Sequence, residues 1–591
     1  MSSISSLTKA VSGLATAQKG LQVTGHNISN TNTKGYTRQQ LLQSDSAYLT
    51  VGKNGGYSMQ VGLGVTQDEI RQIRDELADK RLRTENSVLC YYQKLNETVS
   101  DIESIFDEPY GDTISDFLNS FWSQTQKLSA SADGVEERQS FISSAKVLMS
   151  KINEVSNSLT TYQDKLNSDL TSAVKSVNQI FKDIRTYNEK ISTAEASGDS
   201  ANDYRDQRNL LLDELSNYGS ISYFEEADGQ IQVKFEGHTV INKGFEIQIE
   251  LSDTPGGPYS KPIWSDSKDD VFDLKSVSSA SQGNDSGSIK AILIARGDNV
   301  ATGSTTWDDI ALNDNLSVET TGNAYVIPKI QKMLGEFTNQ LVELVNSSFT
   351  GTGIGSHKGQ TGVTVFVPIT ISDLVKAEVA TLEAAVTTAN DAVKAAQEEV
   401  EKYAEGTSER TKAEEGLAKA QAEAADAEKA YNEKMKVILV PGNIQVNPEL
   451  LEGGGYNKLG TVAKAEDGSD SNVDNTSDNT LITNFLTEWS TSRNWFSDEN
   501  SASSPYEKVA TLKSFFSELV TDIGSEGSIY TAKASEKNTS VTNIENERQA
   551  MGGVSTDEEF SNMLKYQYAY NASARMITML DGMLDTIINK L

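Results

Sequence analysis

The sequence predicts a mainly α-helical chain with a β-rich middle: paired terminal helices, long helical rods, and a central β domain that carries an antiparallel coiled-coil hairpin insertion. Three observations support this fold class. Long stretches without proline carry apolar residues at three- and four-residue spacing, the period of an amphipathic helix. From about residue 219 the period changes to two, which is typical of strands. Near residue 372 a segment rich in alanine, glutamate and lysine resumes the helical spacing.

The first helix is predicted over the opening 28 residues. Its large apolar residues recur every three or four positions and form one stripe: Ile4, Leu7, Val11, Leu14, Leu21 and Ile28. Gly13, Gly20 and Gly25 interrupt the helix, and each interior glycine costs about 0.5–1 kcal/mol relative to alanine. The helix is therefore expected to be marginal alone and to need a partner.

The end of the chain repeats this pattern more strongly. Its stripe follows an unbroken three-four alternation through Met563, Tyr566, Tyr570, Ser573, Ile577, Leu580, Leu584, Ile587 and Leu591. Because both ends carry such a stripe, we expect the two terminal helices to pair with each other. The alternative is that each helix docks separately on a globular core.

Long helices are predicted inside the terminal segments. The segment 135–196 would span about 90 Å at 1.5 Å per residue, so it is a rod rather than part of a globule. Further helices are predicted over 69–105, 203–218, 328–347, 481–496, 505–523 and 530–549. The predicted rod domain comprises 69–218 and 481–549, and the terminal-helix domain comprises 1–68, with a loop after its helix, and 550–591.

The middle of the chain is predicted to form a β-rich outer domain over 219–372 and 437–480. Its strands are predicted at 222–224, 230–235, 246–251, 289–294 and 363–367. The segment 373–436 interrupts this domain with two arms of similar heptad spacing around a short polar turn. We therefore expect an antiparallel coiled-coil hairpin there.

Composition excludes several classes of function. The 591 residues carry a formal net charge of −32, which disfavours binding to nucleic acid or to anionic membrane surfaces. The only cysteine, Cys90, allows no intramolecular disulfide and no thiolate zinc cluster, and three scattered histidines leave little for a metal site. The sequence also contains no apolar run long enough to span a membrane and no Sec-type signal. We expect no enzyme activity, no cofactor and no metal.

The segment that follows the first helix, Asn27 to Gln39, reads NISNTNTKGYTRQ. In physical terms, its Asn and Thr side chains can end a helix and Gly35 permits positive φ, so a simple turn would explain it. The run also resembles the Asn-Asn-Ile-Ala-Asn-x-Asn-Thr-x-Gly-Tyr-x-Arg signature of the flagellar axial proteins. In that family, the signature follows the N-terminal helix.

Two further segments resemble the hook–filament junction members of this family. One lies in the C-terminal helix, from Val554 to Asp585, where Gly582 replaces the usual Glu. The other, NDYRDQRNLLLDELS at 202–216, is similar to a family motif from which only Tyr204 and Asn209 depart. The resemblance covers about 1–250 and 480–591, and 373–436 looks like an insertion that the family usually lacks.

The resemblance implies a structural protein of the bacterial flagellum that self-assembles through its terminal helices and joins hook to filament. It implies secretion by the flagellar type III apparatus, without a cleaved Sec signal, to an extracellular location. The implied partners are copies of the chain, the hook protein, the second junction protein and an export chaperone that binds the C-terminal helix. The implied assembly interface is formed by the two stripes together with Asn30, Asn32, Gly35 and Tyr36.

Two alternatives stay open at the level of sequence. The chain could be another axial protein, such as a second junction protein or a hook-type protein, although these are usually shorter or lack such long rods. It could also carry a surface module that binds glycans, because Trp264 and Trp307 fall in predicted loops of the outer domain.

Overall fold

The computed structural model describes most of the chain. Its described part excludes residues 1, 55–56, 108–112, 255–256, 277, 279–284, 313–323, 350–352, 355–361, 464–476, 497–507 and 591, and also the side chains of 2–4, 51–54, 57–59, 353–354 and 587–590.

Helices dominate the described residues and confirm the predicted fold class. They are α1 (Ser2–Ser29), α2 (Glu76–Phe106), α3 (Ile114–Ala130), α4 (Val135–Ala196), α5 (Asn202–Leu215), α6 (Gly287–Arg296), α7 (Trp307–Ile310), α8 (Val326–Phe349), α9 (Asp373–Glu401), α10 (Ser408–Ile438), α11 (Pro448–Leu451), α12 (Thr480–Ser490), α13 (Leu512–Gly552) and α14 (Thr556–Lys590), with a 3-10 helix at Gly455–Lys458.

The strands form one four-stranded antiparallel sheet, in the order β5-β6-β7-β8, and several two-stranded ribbons. They are β1 (Gln39–Asp45), β2 (Tyr48–Asn54), β3 (Tyr57–Gly62), β4 (Val65–Gln72), β5 (Ile221–Glu225), β6 (Ile231–Phe235), β7 (His238–Asn242), β8 (Phe245–Glu246), β9 (Ile249–Asp253), β10 (Ser260–Trp264), β11 (Gly353–Ile354), β12 (Phe366–Pro368), β13 (Ile444–Val446), β14 (Val462–Ala463), β15 (Arg493–Trp495) and β16 (Lys508–Ala510).

The helix α4 is the axis of the molecule. Its bounds, Val135–Ala196, match the predicted rod, and α2, α3, α5, α6 and α8 all pack against it. One continuous hydrophobic core runs from Tyr91 on α2 to Tyr530 on α13 and includes the buried residues of the four-stranded sheet. The predicted boundary at 218/219 therefore does not coincide with a break in the core, and the division into separate domains remains a prediction.

The structure differs from the sequence interpretation on both sides of the rod. The loop predicted after the first helix contains two antiparallel ribbons, β1–β4 and β2–β3. The helix predicted from residue 69 begins only at Glu76, because Asp75 accepts hydrogen bonds from the first-turn N–H groups of Leu77 and Ala78 and so caps it. Ile70 instead pairs with Leu41 across the ribbon.

The segment predicted as a buried strand at Ile289–Ile294 is instead part of α6. Nine of the ten residues of α6 are buried, so its apolar run has neither the period of an exposed helix nor that of an exposed strand. Gly297, with a φ of 72°, ends this helix. A second correction concerns the helix predicted over 481–496, since α12 ends at Ser490 and Arg493–Trp495 pairs with β16.

The predicted hairpin insertion is formed by α9 and α10, which pack antiparallel on each other. The residues shielded between the two helices include the predicted heptad positions of both arms, such as Val386, Val393, Leu417 and Ala424. Lys434 lies 2.7 Å from Glu378 across the pair, and the outward positions of both helices are exposed. The strands β12 and β13 pair at the base of the hairpin.

Candidate assembly site at the paired terminal helices

The two ends of the chain pair as antiparallel helices. Along the interface, Gly13 faces Ser573, Gly20 faces Tyr566 and Asn27 contacts Glu559. These positions recur every seven residues on both helices, which is the register of a coiled-coil pair. The expected pairing of the terminal helices is therefore confirmed, although more than 500 residues separate them.

The glycines of α1 have a packing role that the sequence interpretation missed. A Cβ at Gly20 would lie 2.5 Å from the ring of Tyr566, and one at Gly13 would lie 3.0 Å from the hydroxyl of Ser573. The absence of a side chain at Gly20 therefore makes room for an aromatic ring of the partner helix. The seven-residue spacing of Gly13 and Gly20 was a signal of this contact in the sequence. The sequence interpretation treated these glycines only as a loss of helix stability.

The face of α1 that is buried also differs from the predicted one. Most of the residues buried there are small or polar, and the buried set is Ala10, Thr16, Ala17, Gly20, Val23, Thr24 and Asn27. The large apolar stripe lies about a third of a turn away. Within that stripe, Val11 is exposed and the others that are described are half-buried, namely Leu7, Leu14, Leu21 and Ile28.

On α14 the predicted stripe does face the partner helix. Its half-buried members are Met563, Tyr566, Ser573, Ile577, Leu580 and Leu584, whereas Tyr570 is exposed at its edge. The side chains of Ile4 and Ile587, and all of Leu591, lie outside the described residues. A second apolar face of α14 is exposed to solvent, and we call it the outward face: Phe560, Leu564, Tyr568, Met576, Met579 and Met583.

Asn27 is the central residue where α1 meets the next segment. Its amide nitrogen donates to the carbonyl oxygen of Gln39 at 2.9 Å and to a Glu559 carboxylate oxygen at 3.1 Å. Its amide oxygen accepts from the Tyr36 hydroxyl at 2.7 Å and from the Gln39 N–H at 3.0 Å. Because Asn27 is buried, this one side chain fixes the ends of both terminal helices to the signature segment.

Arg38 completes this contact on the other side of Glu559. Its guanidinium lies 2.8 Å from Glu559 and 2.9 Å from Glu558. The backbone of Arg38 accepts from the Ile73 N–H and donates to the carbonyl of Gly552, the last residue of α13. Arg38 therefore connects the signature segment, the ribbon and the C-terminal helix.

The third motif, on α5, meets the signature segment from the rod side. Asp206 accepts from the Thr37 N–H at 3.2 Å and from the Gln72 amide at 2.8 Å. Burial raises the pKa of Asp206 to about 6, although the hydrogen bonds from Thr37 and the charge of Arg74 oppose the shift. The three motifs noted separately in the sequence, 27–39, 202–216 and 554–585, thus meet at one place in the fold. We call this place the junction.

A buried ion network extends this junction into the rod. Asp213 on α5 lies 2.7 Å from Arg83 on α2 and 2.8 Å from Arg548 on α13. Burial acts to raise the pKa of Asp213, but Arg83 and Arg548 outweigh it, so the pKa lies below its usual value. Asp213 lies within the motif noted at 202–216, but nothing in the sequence singled out Arg83 and Arg548, because the network exists only once three distant helices are packed.

The signature residues predicted for the assembly interface make contacts within the chain. Gly35, with a φ of 80°, approaches Leu210 on α5, and the Tyr36 hydroxyl bonds to Asn27. Asn30 donates to the carbonyl of His26, and Asn32 is exposed. Their role at an interface between subunits remains a prediction, and the structure gives most of them a role in building the junction.

A cleft of about 1380 Å³ lies beside the junction, between the signature segment, α2, α5 and the end of α13. Its charged lining groups include two sets of ion pairs, Arg38 with Glu558, and Arg83 and Arg548 with Asp213. Within the described part of the chain, no group of three His, Cys, Asp or Glu side chains lies close enough to hold a metal ion. None of the described helices is long and apolar enough to cross a bilayer.

The glycan-binding alternative loses the residues on which it depended. Trp264 is only 4% exposed and Trp307 only 9% exposed, so neither ring is available as a stacking platform for a sugar.

Three family models match the chain in the order that the motifs suggested. Residues 7–37 match "Flagella basal body rod protein", residues 99–366 match "Flagellar hook-associated protein FlgK helical domain", and residues 550–591 match "Flagellar basal body rod FlgEFG protein C-terminal". Flagellar hook-associated protein 1 of Bacillus subtilis is 25% identical over 99% of this chain and 97% of its own length. The chain is similar to flagellar hook-associated protein 1 over nearly its full length. The chain is a structural, axial protein of the flagellum.

Other relatives named flagellar hook-associated protein 1 match a smaller part of the chain. The Salmonella typhimurium protein is 26% identical over 43% of this chain and 45% of its own length. The Escherichia coli protein is 24% identical over 43% and 46%, so the chain matches about half the length of these two relatives. A solved structure of the flagellar hook junction protein FlgK from Burkholderia pseudomallei has a TM-score of 0.39 and 17% identity, and it covers 49% of this chain and 46% of that one.

Proposed function

We propose that this chain joins hook to filament by self-assembly through the α1–α14 pair. The supporting observation is that the paired ends leave apolar surface uncovered on both helices. On α14 the outward face includes Tyr568 at 72% exposed, Met579 at 67% and Met583 at 56%, and on α1 Val11 is 49% exposed. Contiguous apolar surface of this kind is typical of an interaction site.

The energetics favour neighbouring copies as the cover for this surface. A large apolar side chain contributes about 1.5–3 kcal/mol when it is fully buried, so several such residues per subunit offset the cost of ordering the helices. The small-residue face of α1 is already occupied by α14, whereas its apolar stripe is only half covered. Each subunit would therefore use its inner faces for the pair and its outward faces for its neighbours.

Several finer points belong to the same proposal. The partners are copies of the chain, the hook protein and the second junction protein, and the route is export by the flagellar type III apparatus. An export chaperone covers the C-terminal helix before secretion, which would shield the outward face of α14 in the cell. The terminal domain (1–68 and 550–591) forms the tube, the rod (69–218 and 481–549) supports it, and the outer domain (219–372 and 437–480) with the 373–436 hairpin faces outward.

The proposal is tested by removing the outward face without disturbing the pair. The triple variant Tyr568→Gln, Met579→Gln and Met583→Gln retains good helix formers at exposed positions, so the monomer is expected to fold as the wild type does. Filament attachment and motility are then measured in cells that lack the native protein, together with secretion of the variant. We expect secreted hook-associated subunits but no attached filament.

A matched control changes exposed apolar residues elsewhere, namely Phe224→Gln, Leu374→Gln and Val509→Gln. The control is expected to support motility. Normal filament attachment in the outward-face variant would contradict the proposal. Substitutions at Leu580 and Leu584 are less informative, because these residues face α1 and their loss would open the pair itself.

A further inference from the structure

The imidazole of His26 lies at the point where α1 meets α5. Its Nδ1 is 3.1 Å from the Tyr36 hydroxyl oxygen, and its Nε2 is 3.8 Å from a carboxylate oxygen of Asp203. The rings of His26 and Tyr36 meet edge to face. The side chain of His26 is 40% exposed, so protons exchange with solvent freely.

The hydrogen-bond directions around Tyr36 determine where the imidazole carries its proton. The backbone of Gln39 fixes the orientation of the Asn27 amide, because its N–H must donate to the amide oxygen and its C=O must accept from the amide nitrogen. The Tyr36 hydroxyl therefore donates its single hydrogen to the Asn27 amide oxygen. Toward His26 the Tyr36 oxygen can only accept, and Nδ1 must carry a hydrogen.

This tautomer leaves Nε2 as the atom that responds to pH. In the neutral ring, Nε2 carries a lone pair that repels the Asp203 carboxylate, 3.8 Å away. In the imidazolium, Nε2 carries an N–H and the ring is positively charged, so the carboxylate is attracted. We infer that His26 is a proton-dependent contact that holds the terminal helix pair to the rod when it is protonated and releases part of that hold when it is neutral. This inference rests on the proposed function, since it concerns regulation of the same assembly site.

The groups around His26 point in the same direction. Burial raises the pKa of Tyr36, and the negative charges of Asp206, Asp203 and Glu559 add to the shift, so three carboxylates act on the ring that His26 contacts. Arg38 offsets Glu559, and Arg74 lies 3.9 Å from Asp206.

The sign of the pH dependence follows from these groups. The folded-state pKa of Asp206, about 6, is above its ordinary value, so Asp206 binds a proton more tightly in the folded junction than in the unfolded chain. A group of this kind contributes stability that is present at low pH and is lost as the pH rises through the folded value. The junction should therefore be tightest below pH 6 and looser at pH 8.

The test measures amide hydrogen exchange of the full-length monomer between pH 5.5 and pH 8.0, as protection factors corrected for intrinsic exchange. For residues 27–39 and 202–208 we expect protection to fall about two- to fivefold with rising pH relative to α4, the range of one partly exposed ion pair. In His26→Gln the decrease in protection with rising pH should be smaller, and only the decrease that the titration of Asp206 causes should remain. Asp206→Asn should retain the His26 part, and the double variant should show no pH dependence.

His238→Gln is the matched control, because His238 also faces a carboxylate, Asp266 at 3.2 Å, but lies in the β-rich region far along the chain. It should retain the wild-type profile. If His26→Gln does not fold, Tyr36→Phe removes the acceptor for Nδ1 and should reduce the pH dependence with the imidazole in place. A flat wild-type profile, or an unchanged profile in the tested variant, would overturn the inference. Filament attachment is scored separately, so failure of assembly and failure of this contact are distinguishable.

Discussion

Replacing Asn27 with aspartate tests the junction with a minimal change, because only the amide nitrogen of the side chain is replaced, by a carboxylate oxygen. The substitution keeps the shape of the side chain but converts the two N–H donors into an acceptor. The Gln39 carbonyl and Glu559 would each lose a hydrogen bond, of 2.9 Å and 3.1 Å in the native chain. The new carboxylate would also lie against the carboxylate of Glu559, which is only 2% exposed.

The expected loss can be derived from these contacts. A buried acceptor that loses its donor costs about 1–3 kcal/mol. Two such losses, together with an unpaired buried charge that Arg38 compensates only in part, amount to about 3–5 kcal/mol. Since every 1.4 kcal/mol is a factor of ten, protection of the terminal helices against hydrogen exchange should fall roughly 100-fold or more, up to the point at which the pair is mostly open.

The assay is hydrogen exchange by mass spectrometry on α1 and α14, with α4 as the internal reference. Asn32→Asp is the control, because it makes the same change five residues later at an exposed position. Adding Glu559→Gln to Asn27→Asp should recover part of the loss, since the new amide can donate to the new carboxylate. Equal protection in Asn27→Asp and Asn32→Asp would refute the assignment of Asn27 as the central residue of the junction.

Two further predictions concern other parts of the chain. Gly20→Ala should weaken the terminal pair by about 1–3 kcal/mol, because its Cβ would collide with Tyr566. Gly25→Ala should instead stabilise α1 by about 0.5–1 kcal/mol, because its Cβ would meet no described atom within 4 Å. Thermal melting and hydrogen exchange of α1 check both, and a stabilising Gly20→Ala would contradict the packing argument. Val386→Asp with Val393→Asp should melt the hairpin and leave the rod intact, since both valines lie between α9 and α10; unchanged helicity by circular dichroism in the double variant would show that these positions do not hold the hairpin.

The long amphipathic segments were predictable from sequence because each element shows its own period. The bounds of α4 and the shielded positions of α9 and α10 follow directly from a three-four spacing that proline does not interrupt. The segment of α6 was not predictable in this way. It is buried on nearly every side, so its apolar run carries no period that separates helix from strand.

The candidate site was only partly predictable for a different reason. The pairing of the terminal helices follows from their stripes, but the face of α1 in contact does not, because small residues such as Ala17 and Gly20 contribute close approach rather than apolar mass. Glu559 and Arg38 lay within the segments that resemble the axial family, yet their partnership depends on a fold that brings residues 38 and 559 together. Local sequence carries no information about that distance.

The base of the coiled-coil hairpin has a consequence for how this protein can vary. The Ile369 N–H bonds to the carbonyl of Asn443 at 3.0 Å, and Thr370 and Asn443 bond to each other through backbone and side chain. The two chain ends that enter and leave α9 and α10 are thus already closed against each other beneath the hairpin. For any segment inserted between these ends, the entropy cost of closing the loop is therefore offset locally by the hydrogen bonds at the base of the hairpin. Segments of different length or composition can be exchanged at this point without a change in the packing of the rod, which makes it a natural attachment point for a displayed peptide or domain.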